Sequence, residues 1–194
     1  MSAGGSSPSI PRAEWRGALL LTLARCAIKE RFGGPVVERP EGDEWLDERR
    51  AVFVTLRQDG ALRGCVGQVA ARFTLWEAVR EAALAAAFHD RRFFPVQADE
   101  LSLVRIELSV LSAMESLEVT SQEDLLAQLR PGEDGLVLSF GPRSALFIPQ
   151  MWKQLPEPRD FLAQLRRKAG LPGTQWLPGT RVERFTAEHW AEQS

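Results

Sequence analysis

The sequence predicts an α+β fold, and three observations carry that prediction. Short β-branched and aromatic runs recur between turn residues, at 51–57, 61–68, 103–112, 136–140, 144–148 and 180–185. Helical patterns bounded by capping or stop residues lie between them. The elements also repeat in order, α-ββ-α-β followed by α-ββ-α-β. That repetition predicts a duplicated unit whose strands form one strongly curved sheet flanked by helices.

Residues 1–11 are rich in Ser, Gly and Pro and are expected to be disordered. A first helix is expected from Arg12 to Phe32, with Pro11 placed to open it and Gly33-Gly34-Pro35 to end it. Its apolar run from Gly17 to Ala24 is flanked by Glu14 and Arg25, which suits a core-facing amphipathic helix better than a signal peptide. Val36 to Arg50 is a polar connection containing Trp45.

Ala51 to Arg57 reads as a strand, Gln58-Asp59-Gly60 as a tight turn, and Ala61 to Gln68 as the returning strand. Thr74 with Glu77 three residues on forms a capping-box pattern for a helix running to about Phe88. His89 to Arg92 leaves that helix, and Phe93-Phe94-Pro95 forces an extended exit. In Leu103 to Ser112, the apolar Val104, Ile106, Leu108 and Val110 alternate with Arg105, Glu107 and Ser109.

The second half opens with Ser121 and Asp124, which start a short helix to Arg130. Pro131 to Gly135 breaks it. A hairpin spans Leu136–Phe140 and Ser144–Ile148 across Gly141-Pro142-Arg143. Pro158 to Ala169 is a helix stopped by Gly170, Thr180 to Phe185 a last strand, and Ala187 to Ser194 a terminal turn.

Composition is that of a globular protein, with 44% hydrophobic and 26% charged residues. A chain of this size buries about 70% of its unfolded surface and needs no covalent staples. The net charge of −2 supplies no bulk field to draw in nucleic acid. No stretch approaches the ~20 apolar residues of a membrane span. Cys26 and Cys65 lie outside any Cys-x-x-Cys spacing, and no metal site is expected. Both thiols are expected to be reduced in a cytoplasmic protein.

The chemistry concentrates in Leu62-Arg63-Gly64-Cys65-Val66-Gly67. Strict alternation puts Arg63 and Cys65 on one face, where a guanidinium would favour the thiolate. Gly64 and Gly67 leave room for a ligand or another backbone. One reading is a reactive or ligand-contacting thiol in a small cleft. The other is a buried structural cysteine between tightly packed glycines. Asp90 and Arg92 either line that cleft or form an ion pair that caps loop backbone. Glu107 is a candidate acid/base, or a partner of Arg105 or Arg63. Gln150, just after a strand, offers an amide to a ligand. Lys168 sits where a helix C-terminus favours a cation.

The hexapeptide resembles the signature of the AMMECR domain family. Further blocks similar to that family's follow in order: Ala86 to Val96, Ile106 to Leu111, Leu146 to Gln150, and Phe161-Leu162 through Lys168 to Leu171. The resemblance implies a single domain over residues 12–190, made of two intertwined sub-lobes at roughly 12–112 and 113–190, around a barrel-like sheet. Arg166 stands where many relatives carry a second cysteine, and Arg91 where relatives often have proline.

The resemblance also implies component A of a system shared with a Memo-like protein and a radical-SAM protein. In that reading Cys65 is the nucleophile or tether and Arg63 its activator, with Glu107 completing the catalytic set. Gly64, Gly67, Asp90, Arg92, Gln150 and Lys168 line the substrate site. The cluster and the oxidative chemistry belong to the partners, so no cofactor is expected here. The rival readings are a non-catalytic adaptor, and a weak RNA or nucleotide binder acting through Arg63, Arg91 and Arg92.

Overall fold

The computed structural model describes residues 12–173 and 175–193. The segment expected to be disordered, 1–11, lies outside them. The elements run α1 (Arg12–Glu30), β1 (Val52–Gln58), β2 (Ala61–Gly67), α2 (Leu75–Phe88), β3 (Val104–Leu111), β4 (Glu115–Leu117), α3 (Gln122–Gln128), β5 (Gly135–Phe140), β6 (Arg143–Phe147), α4 (Pro158–Lys168), β7 (Arg181–Phe185) and β8 (Ala187–Ala191). Short 3-10 turns occupy Glu44–Asp47, Ala98–Ser102 and Pro149–Lys153.

The chain divides into two compact units. One takes the residues up to Val110 with those from His189 onward, and the other takes Leu111–Glu188. In the first, the sheet order is β2-β1-β3-β8. Its strands alternate as the sequence requires: Val52, Val54 and Leu56 of β1 and Ile106 and Leu108 of β3 are buried. Leu20, Leu23 and Ile28 of α1 and Val79, Ala83 and Ala86 of α2 join them in one core. Each fully buried Leu or Ile contributes about 1.5–3 kcal/mol. Thr74 and Glu77 form the expected capping box at the start of α2.

In the second unit the order is β4-β7-β5-β6. Phe161 of α4 anchors its core, stacked on Trp152 at 4.0 Å and edge-on to Phe147 at 5.2 Å. Arg166 is buried there, donating to Gln122 Oε1 at 2.8 Å and facing the Trp176 ring. Burial pushes its pKa down.

The α+β class and the repeated order hold, since β2-β1-β3 in one sheet corresponds to β6-β5-β7 in the other. The single barrel-like sheet does not. The described residues form two separate four-stranded sheets. Each set of three gains its fourth strand from the segment that follows the other repeat, β8 beside β3 and β4 beside β7. That strand ends the hydrogen-bonded ladder where a continuous sheet would have gone on. Glu115–Leu117 was too short to read as a strand, and Ala187–Ala191, expected as a turn, is β8. Its polar Glu188 and His189 hide a strand that the Ser112–Thr186 and Ile106–Glu192 backbone bonds bracket.

Candidate functional site

The β1–β2 hairpin positions Cys65. Asp59 and Gly60 both take positive φ, 51° and 78°, the pairing that a two-residue hairpin turn needs. A regular ladder from that turn would put Gly64 opposite Thr55. Instead the register shifts between Leu56 and Arg57: Leu56 faces Gly64 and Arg57 faces Leu62. Arg63 is therefore the extra residue of a β-bulge.

The shift sets every later side chain in β2. Gly64 turns to the helix side, where a Cβ would collide with the carbonyl oxygen of Ala86 in α2. Cys65 turns to the opposite face, in one row with Thr55 of β1 and Glu107 of β3. At Gly67 a Cβ would collide with the Phe53 ring. Both glycines are thus required by packing.

The Cys65 thiol is half-buried and accepts a hydrogen bond from Thr55 Oγ1 at 3.2 Å. Its backbone lies at the open edge of the sheet, because among the described residues β2 has a neighbour on one side alone. There the Cys65 N–H donates to Asp90 Oδ2 at 2.9 Å, and Arg92 Nη2 donates to the Cys65 carbonyl at 3.1 Å. Arg92 also forks onto Asp90, with Nε to Oδ1 at 2.9 Å and Nη2 to Oδ2 at 2.7 Å. This clamp does for one residue what another strand would do, and it blocks strand addition at that point.

The Arg92 guanidinium holds the Asp90 carboxyl well below the usual carboxylate range, against the opposing effect of burial and with help from the N–H groups of Cys65 and Arg92. Arg92 is shifted up, chiefly by Asp90 and in smaller part by the Cys65 side chain.

The guanidinium that meets Cys65 is thus that of Arg92. Arg63, expected to activate the thiol, instead forks onto Glu100, at 2.8 and 2.9 Å, and donates to the Phe94 carbonyl at 2.9 Å. The bulge is the reason, since Arg63 leaves the alternation that would have stacked it on Cys65. Its fork lowers the Glu100 pKa. Glu107 pairs with Arg57 at 2.6 Å rather than with Arg105 or Arg63, because Arg57 lies on its face of the neighbouring strand.

Cys65, Asp90, Arg92 and Glu107 therefore gather with Gly64 and Gly67 in the first unit. Gln150 and Lys168 belong to the second. Gln150 has its Oε1 buried without a hydrogen-bond partner among the described residues, and Lys168 Nζ donates to the Leu146 carbonyl at 2.9 Å. Thr55 and Glu100 were missed. Thr55 is visible only once the bulge is placed, and Glu100, which accepts from the Gln97 main-chain N–H at 2.8 Å, follows no Ser or Thr cap that would mark it in the sequence. Among the described residues no group of three His, Cys, Asp or Glu is placed to hold a metal ion, and no helix is long and apolar enough to cross a membrane.

A duplicated antiparallel α+β protein with a clamped cysteine on an edge strand is the class these features define. The AMMECR1 family pattern matches residues 21–190, and the chain belongs to that family. It is 41% identical to a protein of Thermococcus gammatolerans, over 93% of this chain and 91% of that one. A protein of Methanothermobacter thermautotrophicus is 39% identical, over 94% and 97% respectively. The crystal structure of an uncharacterized protein from Pyrococcus horikoshii matches with a TM-score of 0.82 at 37% identity, over 93% and 92% of the two chains.

Proposed function

We propose that this chain is the A component of a cytosolic system shared with a Memo-like and a radical-SAM partner, and that Cys65 is its reactive or substrate-contacting thiol. The observation that carries the reading is the Asp90–Arg92 clamp on the Cys65 backbone. The clamp holds in place the main chain that carries the thiol. Here the clamp fixes the strand, while Thr55 donates to the sulfur and the Arg92 guanidinium lies against the same residue's main chain. Glu107, held by Arg57, sits one strand further along the same row. The partner assignment is supported by family membership alone.

The test has two arms. In the native protein Cys65 should alkylate with iodoacetamide faster than Cys26, read by peptide mass spectrometry. In a system reconstituted with both partners, Cys65→Ala should abolish turnover and Cys26→Ala should not. Full activity of Cys65→Ala ends the catalytic reading.

One observation favours the adaptor reading. Phe94 is 89% exposed on a loop held by the Arg63 bond to its carbonyl, by Phe93 N–H to Asp90 O, and by Val96 N–H to Ala87 O. A large aromatic presented rigidly to solvent suits a partner contact. Phe94→Ser should weaken partner binding without changing Cys65 alkylation. The nucleic-acid reading gains less, since Arg63 and Arg92 are committed to Glu100 and Asp90.

A further inference from the structure

The Asp90–Arg92 clamp covers only one of the outward-facing residues of β2. Gln68 N–H donates to the Val52 carbonyl at 3.2 Å, and Val54 and Val66 face each other. In an antiparallel ladder the residue between those positions points its own N–H and C=O away from the partner strand. That residue is Gly67. Like Cys65, it directs both groups to the open edge, but no other hydrogen bond to them is found among the described residues.

Beside this free edge a cleft of about 70 Å³ opens between β2 and α2. Its walls are Val52, Val66, Phe73, Ala78, Ala82 and Ala85. The alanines of α2 make the room, and Phe73 stands 38% exposed at the mouth. Arg50 and Glu81 lie at the rim. Arg50 is already paired with Glu48, whereas Glu81 forms no ion pair among the described residues. The rim therefore offers one carboxylate without an ion-pair partner among the described residues.

We propose that the Gly67 edge and this cleft form a docking site for an extended peptide segment carrying a small aliphatic side chain two residues from a basic one. The peptide main chain would exchange hydrogen bonds with Gly67, its Val-sized side chain would fill the cleft, and a lysine two residues away would meet Glu81. The cleft admits a side chain of that size. The Cys65 thiol lies on the other face of the strand, so the proposal stands apart from its reactivity.

The test uses the full chain, labelled with ¹⁵N, and two acetylated, amidated pentapeptides, Lys-Thr-Val-Thr-Lys and Lys-Thr-Asp-Thr-Lys. The valine peptide should shift the Gly67 and Gln68 amide resonances and slow exchange of the Gly67 amide proton. The aspartate peptide should do neither, although it keeps both lysines. Ala82→Leu should fill the cleft and abolish the shifts while leaving distant resonances in place. If that variant misfolds, Glu81→Gln, on the exposed rim, should weaken the valine peptide instead.

A Gly67 amide already protected from exchange in the isolated dilute protein overturns the proposal. So do equal shifts from the two peptides, or none at millimolar concentration. If Gly67 protection instead follows the concentration of the protein itself, the occupant is a second copy and the peptide proposal falls.

Discussion

The main-chain N–H of Cys65 donates to the side chain of Asp90 at 2.9 Å, across 25 residues of sequence. Everything else at the site is arranged around that bond. The Asp90 side chain is 6% exposed, and Arg92 supplies its counter-charge from a position 57% exposed. A buried carboxylate is tolerable there because two main-chain N–H groups, of Cys65 and Arg92, and the two-pronged Arg92 guanidinium converge on it.

Removing that acceptor should therefore be costly. Asp90→Ala strands the Cys65 N–H and leaves Arg92 without its partner. The expected loss is about 2–4 kcal/mol, the range for breaking a buried, charge-assisted network. Asp90→Asn keeps one acceptor and should lose less. Urea unfolding of the three proteins checks the order, and an Asp90→Ala protein as stable as wild type would contradict it.

The same carboxylate gives stability a sign with pH. Its pKa is depressed in the folded state, so the unfolded chain binds the proton more readily. The contribution is complete above the unfolded value near ~3.9 and is lost as pH falls through the folded value. Glu100, lowered by Arg63, acts in the same direction. Melting temperatures should thus fall more steeply below about pH 4 for wild type than for Asp90→Asn. Parallel curves would show that Asp90 carries no linkage.

Gly64 makes a different kind of prediction, because its constraint is steric. A Cβ there meets the Ala86 carbonyl, a backbone atom that cannot rotate away. Gly64→Ala should cost about 1–3 kcal/mol, as overpacking does. It should also lift α2 from the sheet, which amide exchange in α2 would register as faster opening.

Much of this was legible in the sequence. Thr74 and Glu77 announced α2, the Asp59-Gly60 turn announced the hairpin, and the alternation in Val104–Val110 gave the buried face of β3. Two features were not. The bulge at Arg63 adds one residue to β2 without a proline or unusual side chain to mark it, and strict alternation then stacks Arg63 on Cys65. The division into two sheets depends on Glu115–Leu117 and Ala187–Ala191, which owe their place to hydrogen-bond partners distant in sequence. Asp90 and Arg92 could be picked out as a pair, but that they clamp the edge at Cys65 follows from the fold of the loop after α2.

The bulge also separates two arginines that the sequence alone could not tell apart. If Arg92 tunes the sulfur, Arg92→Ala should slow Cys65 alkylation several-fold, whereas Arg63→Ala should leave it near wild type. Stability does not separate the two, since each arginine pairs with a carboxylate of low exposure. Arg63 is 15% exposed and forks onto Glu100, so Arg63→Ala should cost about 2–3 kcal/mol by orphaning a half-buried carboxylate. Arg92→Lys keeps the charge but not the fork, and should recover part of the alkylation rate. Rates measured on folded protein for the three variants, with Cys26 as the internal reference, decide the matter. A slow Arg63→Ala beside an unchanged Arg92→Ala would return the activating role to Arg63.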